Sequence, residues 1–344
     1  MKDRFLRACW REPVDRTPVW FMRQAGRSSA AYRELRARHG MLELARDPKL
    51  AAEITMQPVH ELGVDAAILF SDLLLPLEAM GASVALEEGT GPRLSPPVRK
   101  GEDVARLRAL DPEKDLAFVL ETIRRVREKA EVPLIGFGGA PFTLASYLIE
   151  GGGSRDFLET KRFLHAEPDA WDRLMARLTE ALGAFLRAQA DAGAQALQVF
   201  DSWAGALSPL DYAARVAPWS RKLLRSLEET DVPVIHFGTN TAGFLESFRS
   251  AGGDVVGVDW RVPLDEAWHR IGEDRGIQGN LDPAALLDPP EAWRAAAADV
   301  LRRADGRPGH IFNLGHGVLP QTPRESLQLL VQFVHEHQEG VRGT

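Results

Sequence analysis

Eight short apolar runs, each ending in a glycine or polar turn, alternate along this chain with longer stretches of helical spacing. That alternation constrains the fold more than any other feature. The runs fall at residues 18–22, 66–70, 133–137, 196–200, 233–237, 255–258, 276–278 and 310–313. Between them lie amphipathic segments such as "DLAFVLETIRRVREKA" and "RLMARLTEALGAFLRAQADAG", the latter stopping at Gly193. Glycine is a natural helix terminator just before a strand. Eight strands alternating with helices over 344 residues predict an α/β fold, a single (β/α)8 TIM barrel spanning 1–344. A doubly wound open sheet is the competitor. Its nucleotide fingerprint is missing, because "GFGGAP" lacks the last glycine of G-x-G-x-x-G, and no Walker-type phosphate loop occurs. Residues 81–98, "GASVALEEGTGPRLSPPV", read as a β-hairpin excursion after the second strand.

Charge and cysteine usage narrow the function classes. A formal net charge of -7 provides no basic field for nucleic acid or an anionic membrane surface. The longest apolar stretch, "AAILFSDLLLPL", is broken by Asp72, so no membrane span is expected. The start, "MKDRFLRACW", lacks the uninterrupted apolar core of a signal peptide. The single cysteine, Cys9, excludes an internal disulfide and any multi-cysteine metal site, and the chain is expected in a reducing cytoplasm.

In a barrel the loops after the strands build the active site. Here they read "RQAGR", "SDL", "GGAPFT", "DSWAG", "GTNTAG", "DW", "GNLD" and "GHG". Any one is ordinary turn chemistry; together they describe a polar mouth. None of the seven lysines ends a strand, which argues against a Schiff-base aldolase. The histidines do not cluster as a barrel metallohydrolase requires, so no metal site is expected. What remains is an anion-binding pocket. Arg23 and Arg27 can each grip a carboxylate with two hydrogen bonds. Asp72 either caps the helix that follows it or serves as a sheltered carboxylate facing developing positive charge.

Five segments, "PVWFMRQAGR", "LFSDLLLPLEAMG", "GFGGAPFTLASYLIEGGGS", "LQVFDSWAGALSP" and "NLGHGVLPQTP", run in order with ordinary spacing. Together they resemble the uroporphyrinogen decarboxylase family. The resemblance implies a cofactor-free, homodimeric barrel enzyme of haem biosynthesis. Such an enzyme removes CO2 from the four acetate arms of uroporphyrinogen to give coproporphyrinogen. It also implies roles for particular residues. Asp72 matches the family's essential aspartate, Tyr147 its tyrosine near aspartate and substrate, and Arg23 and Arg27 its substrate-binding arginines, one of which takes part in proton delivery. Ser202 and His316 match substrate contacts, and Phe70 and Phe200 would line the apolar wall. After Arg27 the family usually carries a Tyr and then Pro-Glu-Tyr-Arg; this chain instead reads Ser28, Ser29, Ala30, Ala31, Tyr32, Arg33. Two other readings bear on the same residues. A corrinoid or thiol methyltransferase of the same superfamily would need cysteine ligands for zinc. A non-catalytic tetrapyrrole binder would keep the arginines without needing Asp72.

Overall fold

A computed structural model describes residues 1–25, 29–87 and 91–337. Seven parallel strands form one curled sheet: β1 (Ala67–Ile68), β4 (Leu134–Gly139), β5 (Ala196–Asp201), β6 (Val234–Gly238), β7 (Val255–Gly257), β8 (Gly276–Leu281) and β9 (His310–Leu314), in that spatial order. All six pairings are parallel, with a helix-containing crossover between successive strands. Strands β2 (Ser83–Glu87) and β3 (Gly91–Ser95) pair antiparallel with each other, and the residues joining them lie outside the described set. Among the described residues no helix is long and apolar enough to cross a membrane.

The expected first strand, 18–22, forms only an isolated parallel bridge, Val19 to Phe312 of β9. The reason lies in where its N–H groups go. Pro18 has none. The Val19 N–H donates to Asp65 Oδ2 (2.9 Å), Phe21 to Gln24 Oε1 (2.9 Å) and Met22 to Asn313 Oδ1 (3.3 Å). Side chains thus take the donors that a ladder would use. The segment still contacts both ends of the sheet. Phe312 N–H donates to the Pro18 carbonyl (2.9 Å), and Asp65 N–H, just before β1, donates to the Val19 carbonyl (2.8 Å).

The curl has a polar thread through its inside. The Trp20 indole N–H donates to Gln278 Oε1, and Gln278 Nε2 donates to Gln198 Oε1, each at 3.0 Å. Gln198 on β5 and Gln278 on β8 are separated by two intervening strands, so they meet only across the concave face. Alternation along a strand then fixes the rest. Phe200, in phase with Gln198, faces inward, whereas Val199 and Asp201 face the surrounding helices. Phe137, Phe200 and Phe237 pack edge-to-face in a row near the carboxyl ends of β4, β5 and β6, with ring centroids 5.6 and 5.8 Å apart.

Asp65 ties the opposite end together. It is 4% exposed and accepts hydrogen bonds from Arg4 (2.5 Å) and Val19 N–H (2.9 Å), and it pairs with His335 Nε2 (2.7 Å). Four segments distant in sequence meet at this one carboxylate. Burial would raise its pKa, but His335, the Val19 N–H and Arg4 together hold it below the ordinary carboxylate range.

Candidate active site

The loop after residues 18–22 carries Arg23 with its backbone in the left-handed region, at φ 62°. A non-glycine residue needs support there. Gln24 supplies it, because its Oε1 caps the Phe21 N–H while its amide donates to the Ala66 carbonyl at 2.9 Å. Val318 N–H donates to the Met22 carbonyl (2.8 Å), and Gly317 packs directly on the Arg23 stem. The loop presents an exposed Arg23 side chain on a fixed backbone. Arg27 lies outside the described residues, as does Ser28. Ser29 caps the helix Ala30–Arg36 by accepting the Tyr32 N–H, and the Tyr32 ring packs edge-on against half-buried Phe70, centroids 5.6 Å apart.

Asp72 follows β1 and is half-buried. Its Oδ1 accepts the Leu74 N–H at 2.8 Å just before the short helix Leu75–Ala79. The N-cap of that helix is Leu74, without a side-chain cap bond, so Asp72 closes the turn leading into the helix and does not cap it. Burial pushes the Asp72 carboxyl above the ordinary range, with Glu78 adding to the rise. The Leu74 N–H and the positive charge of Arg23 act against it. Tyr147 lies on the helix Pro141–Glu150, which starts on a proline and ends at Gly151 with φ 77°. Its phenol is pushed up to about 12, first by burial, then by the Asp72 charge, with Arg23 pulling the other way. Asp72, Tyr147 and Arg23 come from three separate segments, with the Arg23 charge acting on both of the others and the Asp72 charge on Tyr147.

The remaining expected residues ring the same end of the sheet. Ser202 is half-buried immediately after β5, its carbonyl accepting the Thr239 hydroxyl at 2.6 Å. His316 is half-buried after β9. Its Nδ1 accepts the Gly317 N–H at 2.6 Å, which leaves Nε2 as the protonated nitrogen, able to donate. Its ring stands edge-on to Phe237, the end of the aromatic row that includes Phe200. Phe70 packs on Tyr32, outside that row.

Several supporting residues were legible from sequence only as members of strand-end turns. Trp203 lies over Tyr147, ring centroids 4.0 Å apart at 37°. Asp259 is fully buried and accepts from the Asn240 N–H (2.6 Å) and from Arg261 (2.5 Å). The Asn240 amide in turn donates to the Gly205 carbonyl at 3.2 Å. The loops after β5, β6 and β7 are thereby linked in series. Their "DSWAG", "GTNTAG" and "DW" stretches marked a mouth, but partner choice inside it is a matter of three-dimensional register.

A family model described as Uroporphyrinogen decarboxylase (URO-D) matches residues 1–337. A protein named uroporphyrinogen decarboxylase from Sorangium cellulosum (strain So ce56) is 55% identical over 337 residues, covering 97% of this chain and 96% of its own. One of the same name from Carboxydothermus hydrogenoformans is 53% identical over 338 residues, covering 98% and 97%. Among solved structures, a methyltransferase from Methanosarcina mazei superposes with a TM-score of 0.82 at 22% identity, covering 97% of this chain and 98% of its own, a likeness of fold. The chain belongs to the uroporphyrinogen decarboxylase family.

Proposed function

We propose that this chain decarboxylates the four acetate side chains of uroporphyrinogen III, yielding coproporphyrinogen III and CO2 in haem biosynthesis, without a cofactor. The observation that carries the reading is the half-buried Asp72 carboxyl, raised by burial and coupled to Tyr147 and to exposed Arg23. The names of the relatives at 53–55% identity support the substrate. The substrate carries eight carboxylates around four pyrrole N–H groups. Direct loss of CO2 from an acetate arm would leave an unstabilised carbanion. Protonation of a pyrrole carbon turns the ring into an electron sink. The bond between the methylene and its carboxylate breaks, the electron pair moves into the ring, and CO2 departs. The methylene then takes a proton to become methyl, and the ring carbon releases its own.

Asp72 faces the developing cation and accepts the pyrrole N–H groups, in a setting where a fixed charge is worth more than in water. Arg23 and Arg27 bind carboxylates, Tyr147 borders the reacting ring, Ser202 and His316 contact further substrate oxygens, and Phe70 and Phe200 line the apolar wall. An arginine is too weak an acid to deliver a proton alone at neutral pH, so delivery runs through a network that includes the substrate's carboxyl groups or water. The 18–22 segment acts as the eighth stave closing the barrel, and β2 and β3 are the arms of a hairpin excursion. The enzyme works as a cytoplasmic homodimer on a small-molecule substrate.

The methyltransferase alternative fits the donor set poorly. Cys9, the only cysteine, is buried in the helix Arg4–Cys9, and burial pushes its thiol well up, opposite to what a thiolate ligand needs. The test is anaerobic incubation with uroporphyrinogen in the presence of chelator and no added cofactor, followed by chromatography. Stepwise conversion to coproporphyrinogen is expected. An unchanged eight-carboxylate substrate would refute the proposal and favour a non-catalytic binder.

A further inference from the structure

Asp201, at the carboxyl end of β5, is fully buried and faces away from the mouth, toward the helices. Its Oδ1 accepts the Thr143 hydroxyl at 3.1 Å, and its Oδ2 lies 3.9 Å from His236 Nε2. With the hydroxyl proton committed to the carboxylate, Thr143 Oγ1 is left as an acceptor, and it receives the Trp203 N–H at 3.4 Å. The polarity of this relay is set by the Trp203 backbone N–H, which can only donate, so Thr143 accepts from it and turns its own proton toward Asp201. The relay ends at the Trp203 backbone amide, and the indole of that same residue packs on Tyr147, ring centroids 4.0 Å apart. Thr143 and Tyr147 are also four residues apart on one helix, so they share a face. The Asp201–Thr143 contact thus adjoins Tyr147 on two sides, at the helix that carries the ring and at the residue whose indole covers it. Trp203 is anchored further by Phe157, at 4.9 Å, on its other contact.

We propose that Asp201 and Thr143 are positioning residues, which orient the Tyr147 phenol through Trp203 without touching substrate. The inference rests on the reading of Tyr147 as a site residue. Burying an acid side chain is costly unless its polar atoms find partners, and the hydrogen bond that Asp201 accepts is the one from Thr143. Here both bonds of the relay end on the loop and helix that frame one phenol. Displacing a reacting group by a fraction of an ångström to an ångström lowers turnover while leaving remote carboxylate contacts, and hence KM, nearly untouched.

The test is a double-mutant comparison of kcat and KM on uroporphyrinogen, with folding followed by thermal melting. Thr143→Val removes the hydroxyl at constant shape and is expected to lower kcat on the order of tenfold with KM within about twofold. Thr143→Ser keeps the relay and is expected to restore kcat to within about twofold. In a Tyr147→Phe background, Thr143→Val is expected to cost little more, because its effect passes through the phenol. Thr143→Ala replaces the valine variant in the same scheme should valine prevent folding. Equal losses in Thr143→Ser and Thr143→Val, or losses that multiply in the double variant, would overturn the relay. A Tyr147→Phe enzyme with unchanged kcat would instead overturn the site reading beneath it.

Discussion

A single methyl group at Gly317 should disable substrate capture by Arg23. A Cβ built there lies 2.5 Å from Arg23 Cδ and 2.8 Å from Cγ. Carbons in contact sit roughly 3.5–4.0 Å apart, so the overlap is about 1 Å and something must move. The backbone has little room to do so. Gly317 does not use the left-handed region, Val318 N–H holds the Met22 carbonyl at 2.8 Å, and Gln24 pins Phe21 and Ala66. The Arg23 side chain is what yields. A strained rotamer costs about 0.5–1.5 kcal/mol. With an unfolding entropy of ~2.1 cal/mol/K per residue, 344 residues give about 0.7 kcal/mol/K, so Tm falls by only about 1–2 °C. A misdirected guanidinium, by contrast, forfeits a charge-assisted contact to a substrate carboxylate, about 1.5–3 kcal/mol. That predicts a loss of roughly 10- to 150-fold in kcat/KM for Gly317→Ala. Initial rates at several substrate concentrations, measured anaerobically beside a melting curve, check it. A folded Gly317→Ala enzyme with kcat/KM within about twofold of the parent would refute the reasoning.

Other outcomes follow from the buried charges. Asp65→Asn leaves the Arg4 guanidinium with Asp15 as its one acid partner among the described residues, and should cost about 3 kcal/mol, or roughly 4 °C in Tm. Because the folded-state pKa of Asp65 is depressed, its contribution is complete above the unfolded value of 3.8 and is lost as pH falls below it. Melting curves from pH 6 to 3 should therefore show a shallower acid decline in the variant. His310 is buried with its pKa lowered from 6.5 to about 4, chiefly by desolvation, opposed by its bond to the Gly279 carbonyl. Unfolding releases it to take up a proton below pH 6.5, so stability falls as pH drops from 6.5 toward 4, by up to roughly 3 kcal/mol. His310→Gln should flatten that limb of the pH–stability profile, and an unchanged slope would exclude the histidine as its source.

Much of this architecture was legible because strand and crossover periods differ so clearly. The runs at 133–137, 196–200, 233–237, 255–258, 276–278 and 310–313 each overlap an observed strand, because buried parallel strands read as continuous apolar runs. The 18–22 run misled as to type, since Asp65, Gln24 and Asn313 side chains take backbone donors that no local pattern assigns to them. The inward glutamines Gln198 and Gln278 are likewise invisible to hydropathy, because their partners come from across the curl. At the site, Asp72 stood out as a charge interrupting a buried run. The arginine at Arg23 was legible too, but not the left-handed backbone and the Gly317 contact that aim it. Asp201 and Thr143 were legible only as members of the polar turns "DSWAG" and "GGAPFT"; their pairing was not, because it exists only once β5 and the helix Pro141–Glu150 are side by side.

The most direct test of Asp72 as the group that stabilises the reacting pyrrole is the kcat of Asp72→Asn with uroporphyrinogen under anaerobic conditions. The amide oxygen can keep the bond from the Leu74 N–H, and removing a charge that burial disfavours does not weaken the fold, so the variant should melt with the parent. Loss of the fixed charge should lower kcat on the order of 100- to 1,000-fold. A folded variant turning over within a few-fold of the parent would contradict the account.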